Sequence, residues 1–315
     1  MGPCGRSKAA PMRLARRLRT RHFSAPMTTP DPARSIDRPF SRFEELAGAN
    51  EQAIDVALGA ALIARDVYDD LDVASVLARL EELAGPIMRL GLPQMSAEAQ
   101  ALEMAHYLYE RQGFAGNEAD YYDPKNSLLP DVLERRLGIP ITLALVYCEV
   151  AKRAGVPAQG VGFPGHFLVR IERRGAPNLP PVMVDPFFGG RTLDEKSLLS
   201  LLRRVVGPTE TLCAEHLEPA SPRIILARML TNLKAVYLAR GENSRALLAL
   251  DRLVSLTPDA PFALRERGML AARLGSVEVA RTDLSRFLEL SPEGSEAQAV
   301  RAHLESLGAT RHWLN

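Results

Sequence analysis

Residues 140–185 decide the fold of the first domain, and three pieces of this stretch carry the pattern. Residues 140–154 read PITLALVYCEVAKRA, residues 166–171 read HFLVRI, and residues 182–185 read VMVD. The first piece is apolar on nearly every side and is charged only towards its end, which is typical of a helix buried in a core. The other two pieces predict β-strands, because they are short apolar runs separated by a polar, proline-rich turn at 172–181.

A geometric consequence concerns His166 and Asp185. If the two strands pair as an antiparallel hairpin, the midpoint between these residues falls in the turn, at Gly175-Ala176. The two side chains then face each other, with Cβ atoms about 5 Å apart. A carboxylate so placed can orient an imidazole and stabilise its charge. We therefore predict a contact between His166 and Asp185; the alternative interpretation is two polar strand-end residues near solvent.

The residues before this stretch predict a helical layer. Apolar residues recur at helical spacing in four segments, and Gly and Pro punctuate between them. The four segments are 40–47, 54–64, 73–90 and 97–111. A short helix at 129–137 follows a turn-rich segment at 121–127. The acidic run at 68–72 is interpreted as a solvated loop, because it lacks the Gly and the distal Glu of a calcium-binding loop.

The C-terminal part repeats itself. Four residue types recur 34 positions later, which is the period of a helix-turn-helix tetratricopeptide (TPR) unit. The pairs are Gly241 and Gly275, Ala246 and Ala280, Leu256 and Leu290, and Pro258 and Pro292. This pattern predicts helices at 224–240, 243–256, 261–274, 277–290 and 294–307, the last one a cap. Two repeats are fewer than a free-standing array needs, so we expect them to pack on the preceding domain.

Composition sets further limits. The chain has 315 residues and a net charge of +1, yet residues 1–26 hold seven basic residues and no acid, which leaves −6 on the remainder. That balance does not favour a nucleic-acid groove. The basic segment is open to three interpretations, namely a transit-type peptide, a basic arm for nucleic acid, or an upstream extension with Met27 as the working start, which we favour. Three scattered cysteines favour a reducing, cytoplasmic setting, and no apolar run predicts a membrane span.

A buried helix followed by a strand with His and a strand with Asp resembles the core of the transglutaminase-like, papain-related fold. More closely, the chain resembles the bacterial SirB-type proteins, which join such a domain to C-terminal TPR repeats. The resemblance covers about residues 38–310, and its motifs lie at 113–117, 122–127, 135–140, 162–167 and 184–187. The fold class it implies is α+β, with a helical domain that carries a small antiparallel sheet, followed by an all-α repeat domain. The predicted organisation is a tail at 1–37, a transglutaminase-like domain at 38–212 and repeats at 213–315.

The resemblance implies a cysteine nucleophile at the start of the buried helix, and this chain departs from that pattern. Residues 140–142, where the cysteine is expected, are Pro140, Ile141 and Thr142. Cys148 lies about two turns further along the helix, about 9–12 Å along the axis, and is interpreted as a core residue. Thr142 has a hydroxyl at the correct end, although an unactivated threonine is a weak nucleophile. Cys213 is interpreted as structural.

The candidate catalytic residues are therefore His166, Asp185 and Thr142. Asn126, Arg135 and Arg136 are candidate binding residues that could line a cleft with His166; the alternative is a salt-bridged surface pair and a turn-capping Asn. No Gly-rich phosphate loop or HExxH motif is present, so we expect no cofactor and no metal. The leading hypothesis is an interaction or regulatory protein that lacks a nucleophile. We expect it to bind a protein partner on the repeats, and to bind neither a membrane nor nucleic acid. The alternative is an amide hydrolase or transferase that uses His166 and Asp185 with Thr142, Cys148 or a bound water.

Overall fold

A computed structural model describes residues 39–176 and 178–309 of the chain. These residues belong to one compact unit. The predicted tail at 1–37, with its three interpretations, lies outside the described residues, and the predicted boundary between residues 212 and 213 stays a prediction. No helix in the described part combines the length and apolar character that crossing a bilayer requires.

Four helices form the first layer, close to the predicted segments. They are α1 (Pro39–Gly48), α2 (Val56–Arg65), α3 (Val73–Ala84) and α4 (Ala97–Ala105). Side chains of Asp55, Asp72 and Ser96 cap α2, α3 and α4 by accepting a backbone N–H of the first turn, which satisfies one otherwise unpaired donor in each. The third segment ends earlier than predicted, at Ala84, and the fourth changes into a π-helical turn at His106–Arg111.

The buried helix forms as predicted, within a short connecting framework. Helix α5 (Leu129–Arg135) is followed by a two-residue strand, β2 (Leu137–Gly138), which pairs in parallel with β1 (Ala115–Gly116). Helix α6 (Pro140–Arg153) then starts with its proline in the first turn, where the missing N–H costs nothing. Most of the side chains of α6 are buried.

A four-stranded antiparallel sheet covers α6. Its strands lie in the order β3 (Ala158–Val161), β4 (Leu168–Ile171), β5 (Val182–Asp185) and β6 (Arg191–Leu193). Successive residues of β5 point to opposite faces. Val182 and Val184 accordingly join the main core, and Met183 joins a smaller core with helix α7 (Glu195–Val205) on the other face. No prediction covered β1, β2, β6 or α7.

The repeats form five helices within two residues of the predicted bounds. They are α8 (Pro222–Ala239), α9 (Asn243–Leu256), α10 (Pro261–Arg273), α11 (Val277–Leu290) and α12 (Ser295–Ala309). Gly241 and Gly275 have positive φ angles of 73° and 83°, as a helix-ending glycine requires. Ala246 and Ala280 are fully buried, so the paired helices approach closely.

The expectation that the repeats pack on the first domain is confirmed. Helix α8 packs on α2, and α9 packs on α1. The Arg223 side chain of α8 donates to the carbonyl oxygens of Ala47 and Ala49, at 2.8 and 3.0 Å. Arg252 of α9 forms a two-pronged ion pair with Asp66 at the end of α2, at 2.7 and 2.6 Å. The two parts of the chain therefore share one core.

Candidate functional site

His166 and Asp185 are in contact, as predicted, but in a different register. His166 Nε2 lies 2.9 Å from Asp185 Oδ1. Val169 pairs with Val184, so the position opposite Asp185 is that of Leu168, two residues after His166. The predicted register is therefore wrong by two residues, and His166 lies in the turn before β4. Because side chains alternate along a strand, a shift of two keeps His166 on the predicted face.

Asp185 is a buried carboxylate that four donors surround. Its side chain is 1% exposed. In addition to the imidazole, the backbone N–H groups of Phe187 and Phe188 reach Oδ1 at 3.2 and 3.4 Å, and Arg191 Nη2 lies 3.3 Å from Oδ2. Burial raises the pKa of Asp185, but the hydrogen bond and charge of His166, together with the charge of Arg191, outweigh it and hold this pKa below its usual value. Asp185 is thus ionised at neutral pH.

The ionised carboxylate fixes the tautomer of His166. A carboxylate only accepts hydrogen bonds, so the imidazole nitrogen that faces it, Nε2, carries a proton. In the neutral imidazole the lone pair then lies on Nδ1, the nitrogen that could take a proton from another group. The pair therefore has the arrangement of a general base and its orienting carboxylate.

Aromatic side chains surround the imidazole. The ring of Phe188 stacks on His166 with an interplanar angle of 23°, and Phe187 meets it edge-on. Tyr121 packs in turn against Phe187, with ring centroids 5.9 Å apart. Tyr121, Tyr122 and Phe188 are 42%, 68% and 40% exposed. Sequence reasoning missed this aromatic surround, for which the adjacent pairs at 121–122 and 187–188 were an available signal.

Thr142 serves as a helix cap rather than as a partner of His166. Its side chain is fully buried. The hydroxyl donates to the carbonyl oxygen of Asn126 at 2.7 Å and accepts the backbone N–H of Ile139 at 3.1 Å. Among the described residues, no hydrogen bond joins His166 to Thr142 or Cys148. The hydroxyl is therefore committed to holding the start of α6.

The two described cysteines lie in different surroundings. Burial raises the pKa of Cys148 to about 12, which keeps its thiol protonated, and the residue lines a cleft of about 650 Å³ with Gly160 and Ile225. Cys213, interpreted as structural, is exposed, and its Sγ lies 3.2 Å from His216 Nδ1. A hydrogen bond to Glu215 raises the pKa of Cys213, so this thiol is also held in its protonated form.

A large cavity lies beside Arg191. It has a volume of about 960 Å³ and runs along β6, with Arg191, Arg173, Glu98 and Cys213 in its lining. Arg191 contacts both this cavity and Asp185. Arg191 thus links the lining of this cavity to the His166–Asp185 pair.

The three candidate binding residues do not form one cleft with His166. Asn126 is fully buried and donates to the carbonyl oxygens of Asp120 and Tyr121, so it anchors a turn. Arg135 is paired with Asp123 at 2.9 Å. Arg136 lines a separate cleft, described below, whose described lining lacks His166. The structure thus favours the alternative of a turn-capping Asn and a salt-bridged Arg for the first two, and corrects the placement of Arg136.

The described residues hold no group of three His, Cys, Asp or Glu side chains arranged for a metal ion. What the site offers chemically is a base with its orienting carboxylate. In the described part of the chain, this pair has no hydroxyl or thiol within hydrogen-bonding contact.

Comparisons with known proteins place the chain in a family. The family model for the transglutaminase-like superfamily matches residues 74–231, and that for the tetratricopeptide repeat matches residues 233–305. A UPF0162 protein of Xylella fastidiosa (strain 9a5c) is 40% identical over 85% of this chain and 95% of its own length. UPF0162 protein YchA of Escherichia coli (strain K12) is 30% identical over 77% and 86%. Protein SirB1 of Salmonella typhimurium is 29% identical over 76% and 85%. These matches confirm both predicted domain types.

Proposed function

Because this chain belongs to the SirB-type branch of the transglutaminase-like superfamily and carries TPR repeats, we propose that it acts as a protein-interaction or regulatory module without a working nucleophile. The observation that carries the proposal is the commitment of Thr142 to the cap of α6. A hydroxyl that already donates to one carbonyl and accepts one N–H has no proton to give to His166. The scattered cysteines support a cytoplasmic setting.

The repeats supply a surface for a protein partner. The first helices of TPR units line the concave face of such an array. On α10, Phe262 and Met269 are 48% and 38% exposed. Met269 also lines a groove of about 410 Å³ between α10 and α12, with Arg265 and Val300. Exposed large apolar side chains beside a groove are typical of protein–protein contact sites.

The second candidate function is an amide hydrolase or transferase. The ionised Asp185 favours it, because a carboxylate that fixes the tautomer of His166 is what a general base needs. In this function His166 is the base, Asp185 orients it, and Thr142, Cys148 or a bound water supplies the nucleophile. Thr142 would have to leave its cap, and Cys148 would have to lose a proton at a pKa of about 12.

One experiment separates the two functions. Ammonia release and amine incorporation are measured with a glutamine-containing peptide, for the wild type and His166→Ala. We expect neither protein to exceed the buffer rate. Turnover that the wild type shows and His166→Ala lacks would establish the enzyme and sink the proposal.

A second measurement tests the interaction surface. Proteins that bind the tagged full chain in extracts of its own organism are compared for the wild type, Met269→Asp, His166→Ala and Met88→Asp. Met88 is the matched control, because it is an exposed methionine of the first domain. We expect the bound set to be lost only with Met269→Asp. Retention of the whole set by Met269→Asp would show that the repeats do not carry the interaction.

A further inference from the structure

A second cleft, which we call the arginine cleft, lies where α3, the π-helical turn and the end of α5 meet. It has a volume of about 240 Å³, and its lining includes Arg79, Arg136, Tyr107, Gln112 and Glu82. Two arginines from different elements thus line one small space. Neither takes part in the function proposed above.

Neither arginine of the cleft has a carboxylate partner among the described residues. Among the described residues, no ion pair joins Arg79 or Arg136 to a carboxylate, and Glu82 lies beyond ion-pair distance of both. Burial and the charge of Arg79 both lower the pKa of Arg136. Arginine nevertheless stays protonated at neutral pH. Two like charges in a partly buried cleft repel each other, and an anion between them would offset that repulsion.

The backbone at Arg136 is held in an unfavourable conformation. Arg136 ends α5 with a φ angle of 62°, and it is the one non-glycine residue with positive φ in the described part of the chain. This position at a helix end normally holds glycine, because a Cβ is crowded there. An arginine at such a position brings to the cleft a side chain that glycine lacks. Strain of this kind is concentrated at binding and catalytic sites.

Neighbouring groups fix the walls of the cleft. The Arg136 guanidinium lies over the ring of Phe114, 4.7 Å from its centroid, which limits its orientations. The Tyr107 hydroxyl donates to the carbonyl oxygen of Leu83 at 2.5 Å, so the ring of Tyr107 forms a fixed wall. The side-chain amide of Gln112 can add a further donor.

We propose that the arginine cleft binds an oxyanion, the phosphate or carboxylate group of a small molecule. A guanidinium presents a planar fork of N–H donors that matches the oxygens of either group. A bound anion would also relieve the repulsion between Arg79 and Arg136. The volume fits a compact ligand rather than a folded partner.

The test is calorimetric titration of the full chain with inorganic phosphate and, separately, with succinate, in chloride buffer of constant ionic strength. The variants are Arg79→Gln, Arg136→Gln and Arg136→Lys, and the control is Arg273→Gln, which removes a charge from an exposed arginine of the repeats. We expect saturable binding of at least one probe, weakened about tenfold or more by each cleft variant. Arg273→Gln should bind as the wild type does. Saturation by phosphate alone or by succinate alone would also identify the group that the cleft prefers.

Two results would overturn the proposal. One is the absence of saturable binding of both probes to the wild type. The other is binding that Arg273→Gln weakens as much as the cleft variants do, which would indicate general charge attraction. Arg136→Gly serves as a second variant, because glycine suits the backbone at this position. If it keeps the wild-type unfolding temperature and still binds the probe as tightly, the Arg136 side chain is not a ligand.

Discussion

The ion pair between Arg252 and Asp66 gives a quantitative test of how firmly the repeats are joined to the first domain. The side chains are 2% and 11% exposed, and the Arg252 guanidinium also lies over the ring of Phe43. Asp66→Ala removes the carboxylate to which both prongs of the buried guanidinium donate. Removing one partner of a buried pair costs about 3–5 kcal/mol, so we expect the free energy of unfolding to fall by that amount.

The repeats themselves offer the matched control. Asp259 pairs with Arg286 at 2.9 Å, but these side chains are 71% and 47% exposed. Asp259→Ala removes one carboxylate from an exposed arginine, which solvent screens and which keeps its pair with Glu289 at 2.8 Å. We expect it to cost at most about 1 kcal/mol.

The assay is urea denaturation followed by circular dichroism, with the double variant Asp66→Ala/Arg252→Met included. Methionine fills the space of the arginine stem without a charge, so the double variant should be more stable than Asp66→Ala alone. The reasoning is refuted if Asp66→Ala costs no more than Asp259→Ala. It is also refuted if Arg252→Met brings no recovery, because the loss then has a cause other than the buried charge that Asp66 neutralises.

Four further predictions concern single residues. The pKa of Asp185 is lower in the folded state than its ordinary value, so the ionised carboxylate stabilises the fold above about pH 4, and this contribution is lost as the pH falls further. The urea midpoints of the wild type and Asp185→Asn should therefore converge below that pH. A difference between the two midpoints that stays constant with pH would contradict this. Iodoacetamide at pH 7.5 (within about 1 unit of the ordinary thiol pKa) should modify the exposed Cys213 before Cys148. Mass spectrometry of the folded protein measures the two rates, and equal rates would show that Cys148 is accessible. Arg136→Gly should be about 1 kcal/mol more stable than Arg136→Ala in urea, because glycine tolerates positive φ, and equal stabilities would show that this backbone relaxes. Thr142→Val should lower the free energy of unfolding by about 1–3 kcal/mol in the same assay, because it leaves the buried N–H of Ile139 unpaired. Thr142→Ser should keep most of the stability, and equal losses in the two variants would indicate packing as the cause.

The repeats could be predicted almost completely, because their signals are local. A glycine that ends a helix, a small residue at the helix contact and a proline after the second helix recur at one fixed spacing. Strands β1 and β2 could not be predicted in the same way, since two residues are too few to show an alternating pattern. Helix α7 is different: Asp194 caps it, and Leu198 and Leu202 lie on one face, so its signals were present and no prediction used them.

The candidate site was predictable in its chemistry but not in its geometry. The His166–Asp185 contact follows from the order of the strands, whereas the register depends on where the turn is centred. The pairing of Val169 with Val184 moves that centre by one residue, which shifts the register by two. Arg136 shows the same limit. It is adjacent to Arg135 in the chain, but its left-handed backbone brings its side chain to α3 and the π-helical turn, and chain order does not reveal that direction.

The contact between α8 and the His166 turn bears on how the repeats can act. Arg228 of α8 donates to the carbonyl oxygen of His166 at 2.6 Å, and its guanidinium lies over the ring of Phe167. Burial lowers the pKa of Arg228, yet the group stays charged, so its hydrogen bond to the turn is charge-assisted and strong. Five residues earlier on the same helix, Arg223 donates to carbonyl oxygens at the C-terminal end of α1. A rotation of α8 would break both sets of bonds at once. A partner that rotated α8 would therefore disturb the bond that anchors the turn carrying His166, and the first domain resists such a rotation at two points.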